Sequence, residues 1–253
     1  PTLSSAASDV YKRQNNMSIL VLVRHGQSTW NLEKRFTGWV DVDLTENGKS
    51  EAEKAGILIK NRDIEINFYY SSLQLRANNT LKIIQKVLNE KKSFTRAWQL
   101  NERHYGALTG LNKLEMSKKI GEDKVHEFRR SWNVRPEVLN RGSKFHPLNI
   151  DAYKDIPRES IPDTESLKDT YDRVIKYYEE EIRDKLKNNN ILISAHGNSI
   201  RALCKNLFNL DDIQISKLEI PTGNPLIIEF NSQNKIIICE YLDKERAKDL
   251  VVF

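Results

Sequence analysis

Cysteine is nearly absent from this chain of 253 residues, with only Cys204 and Cys239. Two cysteines cannot form a disulfide scaffold, which fits a reducing compartment, so a cytoplasmic location is expected. No apolar run approaches the ~20 residues of a membrane-spanning helix, so no membrane partner is expected. The 10 glycines and 7 prolines are too few for a collagen-like or linker-like chain. Zinc-ligand spacings and compact Asp/His/Cys clusters are missing, and so are repeats of solenoid period, so no metal is expected. What remains is 39% hydrophobic and 8% aromatic, the composition of a globular domain. The net charge of +5 would suit either nucleic acid or a small anion. It is spread along the chain with no RNA-binding aromatic signature, so no nucleic-acid partner is expected.

Residues 1–16 show neither helical nor strand periodicity, and Met17 opens directly onto an apolar run. They read as a disordered leader or non-native segment, with 17–253 forming one domain. Ile19–Val23 is continuously apolar, as in strands buried on both faces, and Ile191–Ser194 is a further strand run. Asn67–Tyr70 is a third strand, and Pro225–Phe230 and Lys235–Tyr241 flank a turn cluster as a hairpin. Between them lie helical periods. One is Ala77, Leu81, Ile84 and Leu88; another is Leu167, Tyr171, Val174, Tyr178 and Ile182, opening behind Pro162-Asp163-Thr164. A third places Ile200, Leu203 and Leu207 on one helix face. This alternation predicts an α/β three-layer sandwich with a mostly parallel central sheet and helices on both faces. Residues of about 103–162 lack regular pattern and read as a long insertion over the active site.

The chemistry is marked by a motif that occurs twice. One strand runs into Arg24-His25-Gly26 and another into Ala195-His196-Gly197. Ligands of open parallel sheets sit beyond the carboxyl ends of the strands, so both histidines should project over one edge. Glycine lets the backbone turn sharply there, and the helix starts that follow offer N–H donors to an anion. Arg24 and Arg76 fall just after strand ends, and guanidinium forks match phosphate oxygens. A histidine at the centre of a phosphate pocket points to imidazole as nucleophile and a phosphohistidine, with cationic donors serving in place of a metal. Trp30, Trp39, Trp98 and Trp132 read as packing residues, and Cys204 as a small buried hydrophobe.

Further motifs carry a family resemblance. Asn31, Arg35-Phe36-Thr37-Gly38-Trp39, Leu100-Asn101-Glu102-Arg103-His104-Tyr105-Gly106, Gly110-Leu111-Asn112-Lys113, Arg129-Arg130 and Ile220-Pro221-Thr222-Gly223 follow the Arg-His-Gly motif in order. Together they resemble the cofactor-dependent phosphoglycerate mutases of the histidine phosphatase superfamily, from about Ile19 to about Tyr241. The resemblance implies His25 as the phosphorylated nucleophile and 2,3-bisphosphoglycerate as the cofactor that primes it. Arg24, Asn31, Arg76 and His196 would hold the phosphoryl group, with Thr37, Gly38, Gly197 and Asn198 lining the pocket. Glu102 would be the general acid and base. Tyr105, Lys113, Arg129 and Arg130 would clamp the carboxylate and the non-transferring phosphate of a small anionic substrate.

The reaction so implied is interconversion of 3-phosphoglycerate and 2-phosphoglycerate by a homodimer or homotetramer. The alternative within the superfamily is a bisphosphoglycerate synthase/phosphatase or a broader phosphomonoesterase. Two departures stand out. Leu75 occupies a position where many relatives carry a basic residue, and is expected to pack under the sheet edge. Leu242–Phe253 is a shorter tail than the resemblance implies, which raises the expectation of some hydrolysis, since excluding water separates transfer from hydrolysis.

Overall fold

Ser18–Arg24 forms β1 at the heart of the sheet, with Leu20, Val21, Leu22 and Val23 all essentially inaccessible to solvent. The computed structural model describes residues 17–247, so the expected leader 1–16 and the end of the tail lie outside the described residues. After β1 come α1 (Thr29–Leu32), α2 (Glu46–Asn61), β2 (Phe68–Ser71), α3 (Leu75–Val87) and β3 (Thr95–Arg96). The insertion holds α4 (Lys113–Ile120), α5 (Glu122–Arg130) and short 3-10 turns. The chain then returns through α6 (Leu167–Tyr177), α7 (Arg183–Leu186), β4 (Ile191–Ala195), α8 (Gly197–Leu207), α9 (Asp212–Lys217), β5 (Leu226–Phe230) and β6 (Ile236–Tyr241).

The strand order is β3-β2-β4-β1-β5-β6. The first four strands are parallel, whereas β5 and β6 run antiparallel along one edge as the expected hairpin. Alternate residues of each strand face opposite layers. Leu20, Leu22, Ile191 and Ile193 pack with Leu167, Val174, Ile200 and Leu203 of α6 and α8. Val21, Val23 and Leu192 pack with Ala55, Ile59, Leu81 and Ile84 of α2 and α3. Each fully buried Leu or Ile contributes about 1.5–3 kcal/mol, so both faces are needed.

Register positions the site. Arg24 pairs with Ala195, so β1 and β4 end level and release His25 and His196 side by side. The His25 N–H donates to the Ala195 carbonyl at 3.0 Å, which locks the two strand ends together.

Three local expectations are corrected. The N-cap of α6 is Ser166, which forms a capping box with Asp169, and not a residue of Pro162-Asp163-Thr164. Asp163 is engaged elsewhere, accepting from Arg141 and His146. The long helical period closes in a π-helical turn at Tyr178–Ile182. Leu75 is 42% exposed and does not pack under the sheet edge; as the first residue of α3 it is turned to solvent while Arg76 turns inward.

Candidate active site

His25 sits at the end of β1 with only 2% of its surface exposed. Its Nδ1–H donates to the Gly26 carbonyl at 2.7 Å. A carbonyl can only accept, so this contact puts the ring proton on Nδ1 and leaves the Nε2 lone pair available. Burial, then the charges of Arg76 and Arg24, hold the imidazole well below its usual value. His25 is therefore neutral and nucleophilic near pH 7. The turn after it requires glycine, because a Cβ on Gly26 would lie 2.1 Å from the Gly48 carbonyl oxygen.

Two arginines flank the nucleophile and are held by backbone carbonyls. Arg24 donates from Nη1 to the Ile220 carbonyl at 2.7 Å, while its buried Nε has no partner. Arg76 is 1% exposed and donates to the carbonyls of Val40 and Gly38, each at 2.9 Å. Gly38 adopts φ +54, a conformation that suits glycine and turns its carbonyl loop around Arg76.

His196 is fully buried, with its ring centroid 5.0 Å from that of His25. Its Nε2 meets Ser72 Oγ at 2.8 Å, and its Nδ1 is buried without a protein partner. Burial, Arg76 and His25 all keep it neutral.

Glu102 is 9% exposed. Its Oε1 accepts from the backbone N–H of Arg103 at 2.7 Å and from the Asn198 amide at 2.8 Å. Asn198 also donates to the Tyr105 hydroxyl at 3.1 Å and accepts from Arg201 at 2.8 Å. The start of α8 is thereby tied to the insertion. Lys113 donates to the Arg35 carbonyl at 2.7 Å. Burial, then Arg129 and Arg24, push its ammonium down to about 8.

All the residues singled out from sequence except His196 line one cavity of about 130 Å³: Arg24, His25, Asn31, Thr37, Gly38, Arg76, Glu102, Tyr105, Lys113, Arg129, Arg130, Gly197 and Asn198. His196 lies beside His25 but off the cavity wall. Five cationic side chains around so small a space, with a buried orphan donor at Arg24 Nε, fit a compact polyanion. A phosphorylated, carboxylated three-carbon acid such as 2,3-bisphosphoglycerate has that chemistry.

Sequence reasoning overlooked Glu219, which lines the same cavity and pairs with Arg130. It also overlooked two supports. Gln74, fully buried, donates to the Gly38 carbonyl and accepts from the Glu102 N–H, joining the two walls. Arg173 donates to the carbonyls of Gln99, Asn101 and Glu102 while paired to Glu165. Nothing in composition or spacing marks these residues. Among the described residues, no group of three His, Cys, Asp or Glu could hold a metal ion, and no helix is long and apolar enough to cross a membrane.

A family model of the histidine phosphatase superfamily (branch 1) matches residues 20–148 and 142–240. A 2,3-bisphosphoglycerate-dependent phosphoglycerate mutase of Pelagibacter ubique (strain HTCC1062) is 68% identical over 238 residues, 94% of this chain and 100% of that protein. The chain belongs to the histidine phosphatase superfamily. Within it, the 2,3-bisphosphoglycerate-dependent phosphoglycerate mutase of Hyphomonas neptunium is 48% identical, over 92% of this chain and 98% of its own. Among solved structures, mycobacterial hydrolase 1 superposes with a TM-score of 0.64 at 19% identity, covering 88% of this chain and 97% of that one. A mycobacterial glucosyl-3-phosphoglycerate phosphatase complexed with VO3 gives 0.62 at 21% identity, covering 83% and 92%. At such identities these structures speak for the fold alone.

Proposed function

We propose that this protein interconverts 3-phosphoglycerate and 2-phosphoglycerate, with His25 carrying the phosphoryl group between them. The observation behind this reading is a second set of cations, Lys113, Arg129 and Arg130, in the same cavity as Arg24 and Arg76. A phosphomonoesterase needs only the pair beside its nucleophile. A second set calls for a substrate with further anionic groups, and phosphoglycerate carries a carboxylate as well as a phosphate. The 68% identity to the Pelagibacter ubique mutase supports the same reading.

Arg24, Arg76, Asn31 and His196 hold the phosphoryl oxygens, and charge developing on them is stabilised by donors already fixed in place. Thr37, Gly38 and Gly197 line the space around them. Tyr105, Lys113, Arg129, Arg130 and Asn198 hold the rest of the substrate. The substrate hydroxyl attacks phosphorus on His25 as Glu102 takes its proton and the N–P bond breaks. In the return step the other phosphate passes to His25 Nε2, and Glu102 gives the proton to the departing oxygen. The Nδ1–H bond to Gly26 holds the ring throughout. When bound, 2,3-bisphosphoglycerate supplies the phosphoryl group that charges His25 at the outset. The reading further includes a metal-independent reaction in the cytoplasm, a homodimer or homotetramer, and no nucleic-acid or membrane partner.

The test is conversion of 3-phosphoglycerate in excess EDTA, with and without catalytic 2,3-bisphosphoglycerate. Fast conversion that needs the bisphosphate is the expected outcome. Release of inorganic phosphate without isomerisation would overturn it in favour of a phosphatase.

A further inference from the structure

Glu219 is out of place by its charge. The cavity holds five cationic side chains, and among the described residues the acidic ones on its wall are Glu102 and Glu219. Glu102 is buried and bonded to Asn198 and the Arg103 N–H. Glu219 instead bonds to Arg130 Nη2. The side chains of this pair differ in exposure, 49% for Glu219 against 17% for Arg130. The carboxylate therefore reaches in from the solvent side onto a cation that is largely sequestered.

The backbone beneath Glu219 is fixed, while its side chain is half exposed. The next residue, Ile220, gives its carbonyl to Arg24, and Thr222 bridges to Arg24. On the other side, Arg201 bonds to the carbonyls of Ile215 in α9 and Arg130 in α5, clamping the helix that carries Arg130 to the one that ends just before Glu219. Both backbones are thus anchored, and the exposed Glu219 side chain is the part that can swing. The side chain of Arg129, its neighbour in the cavity, makes no hydrogen bond or ion pair among the described residues, although the Glu219 charge reaches it too. One member of the Arg129-Arg130 pair is therefore bonded to a carboxylate and the other is not.

We propose that Glu219 is a resident counter-anion that holds Arg130 until the substrate's own anionic group displaces it, so that it sets substrate affinity by competition. This rests on the phosphoglycerate reading for the identity of the displacing ligand. It goes beyond that reading by assigning Glu219 a role opposed to binding. A half-exposed carboxylate suits such a role, because its pair with arginine is weak enough to be exchanged. The same charge weighs more heavily against a ligand with two phosphates than against one with a single phosphate, which favours release of the more highly charged species.

The test is Glu219→Gln, which keeps the shape and removes the charge. Dissociation constants for 3-phosphoglycerate are measured by calorimetry without 2,3-bisphosphoglycerate, so that no turnover is needed, and inorganic phosphate is titrated as a second probe. The expected result is tighter 3-phosphoglycerate binding by about two- to fivefold, the range of an exchanged partly exposed ion pair. Binding of 2,3-bisphosphoglycerate should tighten more. KM should fall without a rise in kcat, and E219Q should have no effect on affinity in an Arg130→Ala background. Unchanged or weaker binding by E219Q, at an unaltered melting temperature, would overturn the proposal and make Glu219 a residue that merely orients Arg130. Failure of the wild-type protein to interconvert the phosphoglycerates would instead sink the functional reading, and the calorimetric comparison with phosphate would still report on Glu219.

Discussion

Replacing Glu165 by Gln removes one charge from a buried ion pair that supports the loop carrying Glu102. The side chains of Arg173 and Glu165 are 9% and 4% exposed. Arg173 bonds to both oxygens of Glu165, at 2.7 and 2.9 Å, and to the carbonyls of Gln99, Asn101 and Glu102. Glu165 Oε2 also accepts the His104 N–H at 2.8 Å. Both carboxylate oxygens are therefore occupied by donors, and the amide nitrogen of glutamine must face one of them. Breaking a buried pair this way costs about 3–5 kcal/mol, because a guanidinium is left uncompensated out of water. With an unfolding entropy of about 2 cal/mol/K per residue, a loss near 4 kcal/mol lowers Tm by roughly 8 °C for a domain of this size. Thermal denaturation followed by circular dichroism reads this directly. Asp172→Asn is the control: its partner Lys168 is exposed, as is Asp172 itself, so Tm should not move measurably. Turnover of E165Q below its Tm should fall as well, since Arg173 would no longer fix the Glu102 carbonyl. A Tm within about 2 °C of wild type would show that the buried pair carries little of the stability.

Other outcomes follow from the site. Lys113 loses its charge above about pH 8, so KM for 3-phosphoglycerate should climb between pH 7 and 9. Lys113→Met should have a higher KM that is flat over this range, and a flat wild-type profile would contradict the assignment. His25 and His196 are held well below their usual values and His104 is pushed down to about 3, in each case chiefly by burial. The unfolded chain takes up protons below about pH 6.5 that the fold refuses, so stability should drop as pH falls from 6.5 to 5. Each histidine accounts for up to about 1.4 kcal/mol per pH unit. Urea midpoints at pH 7, 6 and 5 check this; Asp41, raised by burial, opposes it only in the carboxylate range. Gly26→Ala should cut turnover on the order of 10²-fold, because its methyl would displace His25 or the Gly48 backbone. Near-normal kcat in that variant would show that the turn tolerates a side chain.

The sheet was legible where burial on both faces writes a continuous apolar run, as in Ile19–Val23 and Ile191–Ser194. It was illegible at β3, whose two residues, Thr95 and Arg96, are both exposed and carry no pattern. Helix α2 was missed for another reason. Its inward face is Gly48, Ala52, Ala55, Gly56 and Ile59, mostly small residues with little hydrophobic signal. Small residues serve there because α2 packs closely on its neighbours: a Cβ on Gly56 would lie 2.8 Å from Val87 Cβ. In the site, the two His-Gly motifs could be read from strand ends alone, whereas Glu102, Lys113 and Arg129-Arg130 needed the family resemblance. Gln74, Glu165, Arg173 and Glu219 escaped both approaches. Their partners are backbone carbonyls or distant charges, and only folding brings these together.

The proposed chemistry requires that His25 carry the phosphoryl group. Incubating the protein with radiolabelled 2,3-bisphosphoglycerate, then mapping the label by mass spectrometry, reads this out. Acid-labile, base-stable label is expected on His25, chased off by unlabelled 3-phosphoglycerate and absent from His25→Asn. Label on another residue, or full mutase activity in His25→Asn, would contradict it.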